Sequence, residues 1–549
     1  MSDYSDAIKA PIRKITGRVE IELGGHDLLV FEGEDIFEIS LLEEATGAGP
    51  SPLGFVTSNE LTVSLNNADR WFTPSNPDRL FDVRPGLEIR AYLIIETAGG
   101  DVEVSLGTFY TGEWDTPSNS IEATTTCHDR LMQIINLDTP QIPVMTDTTV
   151  AGMFGRLFQG LGLEPAEFVV NASLTQPIKA GWFPRDTVGV SLQVLAEAGN
   201  CFVSVDRHNR ITVQPNLRSG EPLATFTDQD MLFSVNNPQR INDIYTAIKM
   251  QYRVPYLKPA NRNLVRADNL VIPDGGITLD RIDFHGDDVP VMQVDWVYLY
   301  GPEFTGEVWD LFVGEPDGTP SGTFKLYDGT DETGNIAHDA TNTTIQGELE
   351  GIYGAGNAEV SGADRDFEIK FTVGVGRTDL SADFSNLVNL VGSSLLRRTQ
   401  YSGQIESEVS FIWFGATDII LQVDNDSGYA EEVNLEVKGI GTGHHIGHNV
   451  ITDAEAVTNY GHKELSLENY LIQSQAVARA YSELLINYVS DPLAMFEINY
   501  RGDPAIQVGD IIRVQSTQDK IPATDVMVRR IELNYDGGLT SKIRCRRAS

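Results

Sequence analysis

The sequence has few cysteines and no long hydrophobic run. Its three cysteines, Cys127, Cys201 and Cys545, lie far apart in the chain, and an odd number cannot all be bridged within one molecule. No stretch reaches the roughly 18 consecutive apolar residues of a membrane-spanning helix, and no apolar run follows a basic start at the N-terminus. We therefore expect free and mostly buried thiols, no signal peptide, no membrane span, and folding in a cytoplasm.

Positive charge is also scarce. The 549 residues include 40 Lys and Arg against 79 Asp and Glu, which gives a formal net charge of -39. A charge of this sign opposes binding to the phosphates of nucleic acids and to anionic membranes. Sequence-specific nucleic-acid binding is therefore not expected, and an ordinary solvated acidic surface is the simplest interpretation of the charge.

The short motifs of common enzymes are missing as well. There is no Gly-x-Ser-x-Gly nucleophile elbow and no Gly-x-x-x-x-Gly-Lys phosphate loop. Cys127 and His128 are adjacent, so in a strand their side chains would point to opposite faces. Acidic pairs are common, and a carboxylate pair of the glycosidase type stays open as an alternative. The prediction is a protein that is not an enzyme, with no catalytic residue, cofactor or metal ion.

A chain of this length exceeds the roughly 250 to 300 residues that one hydrophobic core supports, so several domains are expected. Residues 1–140 contain short alternating strands with turn signals about every 8 to 12 residues, which predicts a barrel or sandwich. Helical periods followed by a hairpin predict a small α+β domain at 141–215. Short strands between turns predict a β-sandwich at 280–445. This sandwich is inserted into a second barrel, which 216–279 and 446–549 form together with one helix.

The C-terminal segment carries the most informative pattern. The run Asp503-Pro-Ala-Ile-Gln-Val-Gly-Asp510 predicts a strand entering a tight turn. The run Tyr535-Asp-Gly-Gly-Leu539 predicts a hairpin, because glycine adopts positive φ there without strain. We expect the partner strands of this hairpin near 215–255.

An ordered set of weaker signals occupies the N-terminal part. It consists of the loop Asn66–Asn76, the turn Arg84-Pro85-Gly86, the strand Leu106–Tyr110 and the ending Asp129-Arg130-Leu131. Together with the C-terminal pattern, this order resembles bacteriophage tail baseplate and tail-tip hub proteins, over about residues 1–250 and 450–549. The insert at 280–445 shows no family pattern.

The resemblance implies a mainly β fold with α+β parts, in which 1–140 and the split unit are tail-tube-like β-barrels. It implies a homotrimer that joins a six-fold tail tube to a central spike or fibre, and that also binds the tape-measure protein and other baseplate proteins. The expected location is the virion tail, after assembly in the host cytoplasm, with a central channel for DNA ejection. An acidic channel lining would keep the phosphates from adhering.

Aromatic residues of the insert suggest an alternative function. Trp296, Tyr298 and Trp309 could form a platform on which sugar rings stack, with nearby Asp and Asn side chains as hydroxyl partners. The chain would then be a receptor-recognition tail protein that binds a cell-surface glycan. A tail glycan hydrolase is a further, less favoured alternative. Trp413 lies in an apolar run, 411–414, and burial of most of these rings in a core is the simpler interpretation.

Further motifs have simple interpretations. Arg501-Gly502-Asp503 matches an integrin-binding tripeptide, but a turn at this place itself requires Gly and Asp. His444, His445 and His448 include two residues with the spacing of metal ligands on one helix face. The glycines around them oppose a helix and favour a polar linker. The oxygen-rich runs 424–428 and 328–331 lack the spacing of a calcium loop and are interpreted as turns.

Overall fold

The computed structural model describes residues 2–23, 28–45, 54–73, 76, 84–216, 220–232, 235–236, 244–284, 286, 289–301, 307–329, 331–371, 380–391, 394–400, 407–426, 430–490 and 495–548. Strands predominate and the helices are short, so the predicted mainly β class with α+β parts is confirmed. Within these ranges no helix has both the length and the apolar character needed to cross a membrane.

The N-terminal part folds mostly into antiparallel strands, because apolar residues alternate along them and one face of each strand is buried. Every strand that alternation predicts in this part is present. Its elements are α1 (Ser2–Lys9), β1 (Ile15–Glu22), β2 (Leu28–Glu32), the 3-10 helix η1 (Gly33–Asp35), β3 (Ile36–Glu44), β4 (Phe55–Val56), β5 (Glu60–Asn66), β6 (Glu88–Thr97), β7 (Gly100–Asp115) and β8 (Glu122–His128).

The next part contains the two predicted helices and the hairpin that follows them. Thr149 and Thr187 are the N-caps of these helices, and each side chain accepts a hydrogen bond from a backbone N–H of the first turn. Asn200 ends the second helix in the left-handed conformation. The elements are α2 (Arg130–Ile134), β9 (Met145–Thr149), α3 (Val150–Gly160), β10 (Phe168–Val170), β11 (Pro177–Gly181), α4 (Val188–Gly199), β12 (Cys201–Val205), β13 (Ile211–Pro215) and β14 (Thr225–Phe226).

The middle part consists of strands of 2 to 22 residues and of one helix that the sequence pattern did not predict. Its elements are β15 (Ala247–Leu257), β16 (Arg262–Ile272), β17 (Ile277–Asp283), β18 (Val291–Tyr300), β19 (Glu307–Phe312), β20 (Glu315–Ser321), β21 (Thr323–Asp328), β22 (Asp331–Glu332), β23 (Ile336–Ala337), α5 (Asn342–Tyr353), β24 (Ala358–Ala363), β25 (Asp366–Phe371), β26 (Leu380–Asp383), β27 (Val388–Val391), β28 (Leu395–Gln400), β29 (Glu408–Phe414), β30 (Asp418–Asp424) and β31 (Glu431–Thr452).

The C-terminal part contains the predicted helix and the closing hairpin. Ser474 caps that helix, and Gly537 has a φ of 93° in the hairpin turn, as the Asp-Gly-Gly pattern requires. On this helix Leu484 is 41% exposed, whereas its neighbour Leu485 is buried. The elements are α6 (Ala454–Tyr460), β32 (Glu464–Glu468), α7 (Gln475–Val489), β33 (Met495–Tyr500), β34 (Ile511–Ser516), β35 (Ile521–Tyr535) and β36 (Leu539–Arg547).

Both ends of the chain lie in one large curled sheet. Its strand order is β14-β34-β35-β3-β5-β8-β7-β6-β1-β2, with β36 beside β35 and β33 beside β36. The two ends meet where β3 pairs with β35, from Ile39 opposite Tyr535 to Glu44 opposite Arg530. The expectation that the closing hairpin finds its partners near 215–255 is therefore wrong for its long strand. Among the described residues of that region, the pairings to this part of the sheet are β14 with β34 and two isolated bridges to β33.

The other sheets surround separate cores. Helices α3 and α4 pack against the sheet β10-β13-β12-β4. Strands β15, β16 and β18 pair with the long strand β31, and β32 pairs with β15. The sheet β17-β30-β29 shares a core with β16, β18 and β31. Residues 307–400 enclose a further core that includes α5. The predicted domain boundaries at 140, 215, 279 and 445 stay predictions.

Candidate functional surface on the large sheet

Five polar residues form a row across the exposed face of the large sheet. The strand register pairs Thr540 with Asn534, Asn534 with Ser40, Ser40 with Thr62 and Thr62 with Thr126. The Ser40 hydroxyl donates to Oδ1 of Asn534 at 2.6 Å, and the hydroxyl oxygens of Thr62 and Thr126 are 3.3 Å apart. We call these five residues the neutral ladder, because none carries a charge. The ladder crosses the seam between β3 and β35, so both ends of the chain build it.

A row of charged residues runs parallel to the neutral ladder, four residues away from it along β3 and β35. Glu44, Arg530, Arg544 and Glu497 stand opposite one another on four neighbouring strands. Arg530 lies 3.2 Å from Glu44, and Arg544 lies 2.8 Å from Glu497. Each guanidinium on this row is therefore engaged by a carboxylate.

A second group of ion pairs lies on β1, β6 and β7, in the part of the sheet that the N-terminal strands form. The Arg18 guanidinium is 2.6 Å from Glu103 and stands over the Tyr92 ring, 4.6 Å from its centroid. Arg90 lies 2.9 Å from Glu22. Burial, followed by the charge of a nearby carboxylate, raises the pKa of Tyr92. The arginines of this group, like those beside the ladder, have carboxylate partners and offer little positive charge to a phosphate.

A buried ion pair fixes the small α+β unit beneath β3. Arg207, in the turn between β12 and β13, donates from Nε to Oε1 of Glu43 at 2.8 Å and from Nη2 to Oε2 at 3.2 Å. The same guanidinium donates to the carbonyl oxygens of Pro504 and Ile506 in the C-terminal turn. The Arg207 and Glu43 side chains are only 5% and 7% exposed. One guanidinium thus joins the small unit, the N-terminal strands and the C-terminal turn.

A buried carboxylate connects three elements at the same junction. Asp129 caps α2 and accepts hydrogen bonds from Asn59 N at 2.7 Å, from the Ser58 hydroxyl at 2.8 Å and from Leu131 N at 3.0 Å. Asn59 in turn donates from Nδ2 to the carbonyl oxygen of Val205 on β12. Burial raises the pKa of Asp129 to about 6, although these hydrogen bonds act in the opposite direction.

The Arg501-Gly502-Asp503 tripeptide is engaged by the N-terminal segment. The Tyr4 hydroxyl donates to Oδ1 of Asp503 at 2.7 Å, and Arg13 donates from Nη1 to the carbonyl oxygen of Gly502 at 2.7 Å. Arg501 donates to main-chain oxygens of the segment after α1. Burial, followed by the Asp503 charge, raises the pKa of Tyr4. The tripeptide therefore has a structural role in this chain.

The structure brings together two of the three aromatic residues predicted as a sugar platform. Trp296 and Tyr298 lie on β18 with their rings 17° from parallel and their centroids 6.5 Å apart. Trp309 has no exposed surface and belongs to the core of residues 307–400, with the Lys438 ammonium 5.6 Å from its ring. Trp309 therefore cannot take part in stacking at the surface, and Tyr298 is itself 5% exposed. The glycan role of the remaining pair stays a prediction.

A different group of apolar side chains, two of them aromatic, is exposed on β29, the outer strand of the sheet β17-β30-β29. Phe411, Ile412 and Trp413 on β29 are 50%, 49% and 41% exposed. A register irregularity between Phe411 and Trp413 turns these side chains outward. The sequence pattern favoured burial of this run, and only Phe414 packs against the core.

The other predicted motifs do not form a metal site. His444 and His448 lie on the strand β31 and not in a linker. Burial lowers the pKa of His444, and the positive charges of Arg253 and Lys258 lower it further. Asn425 is buried and donates to main-chain oxygens at 272–273, while part of 424–428 lies outside the described residues. Throughout the described ranges, no group of three His, Cys, Asp or Glu side chains is arranged to hold a metal ion.

The cysteines are buried and free of disulfides, as expected. Burial raises the pKa of Cys127 to about 12, so its thiol is protonated at neutral pH. The residues that the sequence did not reveal are the neutral ladder and Arg207. Alternating Ser and Thr on β5 and β8 were visible in the sequence, but their alignment with Asn534 depends on a pairing between the two chain ends.

No family model matches the chain, and no curated protein matches it. Solved structures with a similar course of the chain include the 43 kDa tail protein of prophage MuSo2 from Shewanella oneidensis, with 8% identity and a TM-score of 0.44 over 97% of this chain and 98% of that chain. A tail protein from Neisseria meningitidis MC58 shows 9% identity and a TM-score of 0.45 over 96% of both chains.

Prophage tail protein gp18 from Listeria monocytogenes shows 6% identity and a TM-score of 0.39, over 97% of this chain and 94% of that chain. These neighbours are phage tail proteins, the class that the resemblance of the two chain ends also indicates.

Proposed function

We propose that this chain is the structural hub of a phage tail baseplate or tail tip, a homotrimer that adapts a six-fold tail tube to a central spike or fibre. The observation that supports this proposal best is the neutral ladder, which runs across the seam between the two chain ends on one continuous sheet. A sheet built from both ends of the chain offers two curled strand sets per copy. Three copies would then offer six such sets to a tube.

The exposed face of the sheet suits the wall of a channel for DNA. Hydroxyl and amide groups bind phosphates weakly compared with Lys or Arg, whose counterion release dominates affinity for DNA. The arginines beside the ladder are held by carboxylates. A chain with a net charge of -39 adds long-range repulsion. DNA would therefore slide along this wall and not adhere to it.

The partners follow from the same arrangement. One end of the ring would contact the tail tube, the other would contact the spike or fibre, and the tape-measure protein would end at the channel. A ring of identical copies closes when the two surfaces in contact are different and the rotation between copies is an exact fraction of a turn. The proposal includes no catalytic step.

Native mass spectrometry tests the assembly, with three copies as the expected result. A chain that stays monomeric even with its tube partner would contradict the proposal. The channel is tested by Thr126→Lys in the neutral ladder, with Ser361→Lys on the exposed side of β24 as the matched control. We expect the first variant to assemble and to slow DNA ejection from virions, and the control to behave like the wild type. Equal ejection rates would contradict the assignment of this face to the channel.

A second function, recognition of a cell-surface glycan, rests on the exposed aromatic group of β29. Phe411 and Trp413 are 50% and 41% exposed, which leaves ring surface for contact with a sugar. A glycan array with the full chain and with Trp413→Ala tests this function. Binding that is lost in the variant would support it, and the absence of binding to host polysaccharides would count against it.

A further inference from the structure

The second half of the long strand β31 has one free edge. Residues 442–452 pair with β15 on one side, from Thr442 opposite Leu257 to Thr452 opposite Ala247. On the other side β18 pairs only with 434–441. No other strand in the described part of the chain pairs with 443–452. In this stretch of about ten residues, every second residue therefore directs its N–H and C=O to the free edge, where a further strand can bond them.

This edge lacks the irregularities by which edge strands usually avoid pairing. Its register with β15 runs without a break over all eleven pairs. Gly443 and Gly447 have no side chains, and the rings of Tyr256 and Tyr252 cover them from β15. By contrast, β16 on the same sheet carries two register shifts and a positive φ at Asn269, which disturb its outer edge.

The side chains of this edge have a distinct chemistry. On one face His444, Ile446, His448 and Val450 alternate, and Ile446 and Val450 are 59% and 54% exposed. Lys249 stands opposite Val450 on β15. The segment 442–452 contains no Asp or Glu, although the chain as a whole has 79. A partner strand should therefore carry apolar side chains at alternate positions and have acidic residues beside it.

The edge strand β2 of the large sheet has these properties. It pairs only with β1 among the described residues, and it presents Leu28 and Val30, which are 45% and 50% exposed. Glu20 and Glu22 stand opposite these two residues on β1. The alternation is the same as on β31. Glu20, Glu22 and Glu32 outnumber the two arginines that contact them, Arg18 and Arg90, so the surroundings of β2 are net acidic, whereas Lys249 stands beside the β31 edge.

We propose that the outer edge of β31 at 443–452 in one copy pairs with β2 in a second copy of this chain. The contact joins two different surfaces, and such a contact closes a ring where the rotation between copies is an exact fraction of a turn, as the proposed hub requires. The inference rests on the proposed homotrimer, for which it names the contact between copies. Main-chain hydrogen bonds would hold the two edges, and the opposite charges would set their orientation.

Thiol cross-linking tests the contact, because the three native cysteines are buried. The double variant Val30→Cys/Ile446→Cys, treated with a short bifunctional thiol reagent, should give covalent trimers, whereas each single variant should give none. A cross-link in the single variant Ile446→Cys would mean that the edge pairs with itself and would overturn the proposal. The reagent tolerates a shift of one or two residues in register.

Introducing a negative charge at the edge gives a second test that separates this inference from the proposed function. Ile446→Glu should abolish the trimer in native mass spectrometry, while Val271→Glu on β16, a valine that is 66% exposed, should leave it intact. Amides of 443–452 should exchange about tenfold more slowly in the trimer than in dissociated chains. A trimer that survives Ile446→Glu with unprotected amides overturns only the β31 contact. A wild-type chain that never forms trimers contradicts the proposed function as well.

Discussion

Replacing Arg207 by methionine should loosen the small α+β unit from the large sheet. Arg207 and Glu43 are 5% and 7% exposed, and two hydrogen bonds of 2.8 and 3.2 Å join their buried side chains. The variant leaves the Glu43 carboxylate buried without its partner, and it frees the carbonyl oxygens of Pro504 and Ile506. Breaking a buried ion pair in this way costs about 3 to 5 kcal/mol.

A double-mutant cycle measures the coupling between the two residues. Arg207→Met, Glu43→Leu and the double variant are compared in urea, with tryptophan fluorescence and amide exchange of β12 and β13 as readouts. The double variant should be less destabilised than the sum of the single variants by about 2 to 3 kcal/mol, because neither charge is then left alone.

The chain offers a matched control for this cycle. Arg479 and Glu483 are also 2.8 Å apart, but their side chains are 70% and 53% exposed. Removing Arg479 should cost no more than about 0.5 kcal/mol. If Arg207→Met costs as little as the control, or if the two single effects simply add, the junction does not depend on this pair.

Other contacts give shorter predictions. The folded chain binds the Asp129 proton more tightly than the unfolded chain does. The free energy of unfolding should therefore fall by up to about 3 kcal/mol as the pH rises from about 4 to 6. Asp129→Asn should remove this dependence in thermal unfolding measured at a series of pH values. Arg13→Ala should release the N-terminal segment, and unchanged tryptic cleavage at Lys9 would contradict this. A Cβ at Gly447 would lie 2.3 Å from the Tyr252 ring, so Gly447→Ala should cost about 1 to 3 kcal/mol in urea unfolding, whereas Gly155→Ala, in open space on α3, should not destabilise.

Strands were predictable wherever one face of the strand is buried. Alternation along β1, β3 and β6 places every second residue in the core, so a period of two is visible in the sequence itself. The helices α3 and α4 were predictable for a related reason, since Thr149 and Thr187 cap apolar stripes that repeat with the helical period. These signals are local and need no knowledge of the rest of the fold.

The missed features depend on weak local signals or on distant partners. Helix α5 buries only Ile345 and Leu349 and contains glycines, so its apolar period is faint. The pairing of β3 with β35 joins residues almost 500 positions apart, and no local pattern encodes it. On α7 the exposed Leu484 directly precedes the buried Leu485, and the apolar character of both residues does not tell which of them faces the core.

Buried arginines can fix the orientation of the units where apolar packing alone cannot. Apolar contacts have no preferred direction, whereas a guanidinium bonds carboxylates and carbonyls in a defined plane. Arg207 bonds Glu43 and two carbonyls of the C-terminal turn, and Arg529 on β35 is 2% exposed and bonds Asn216 after β13. Both residues hold the small unit against the seam between the chain ends. A ring of three copies closes only if the angle between the small unit and the large sheet is the same in every copy. Arg207→Lys should therefore reduce the fraction of closed trimers even where it preserves folding, because an ammonium lacks the planar fork of a guanidinium.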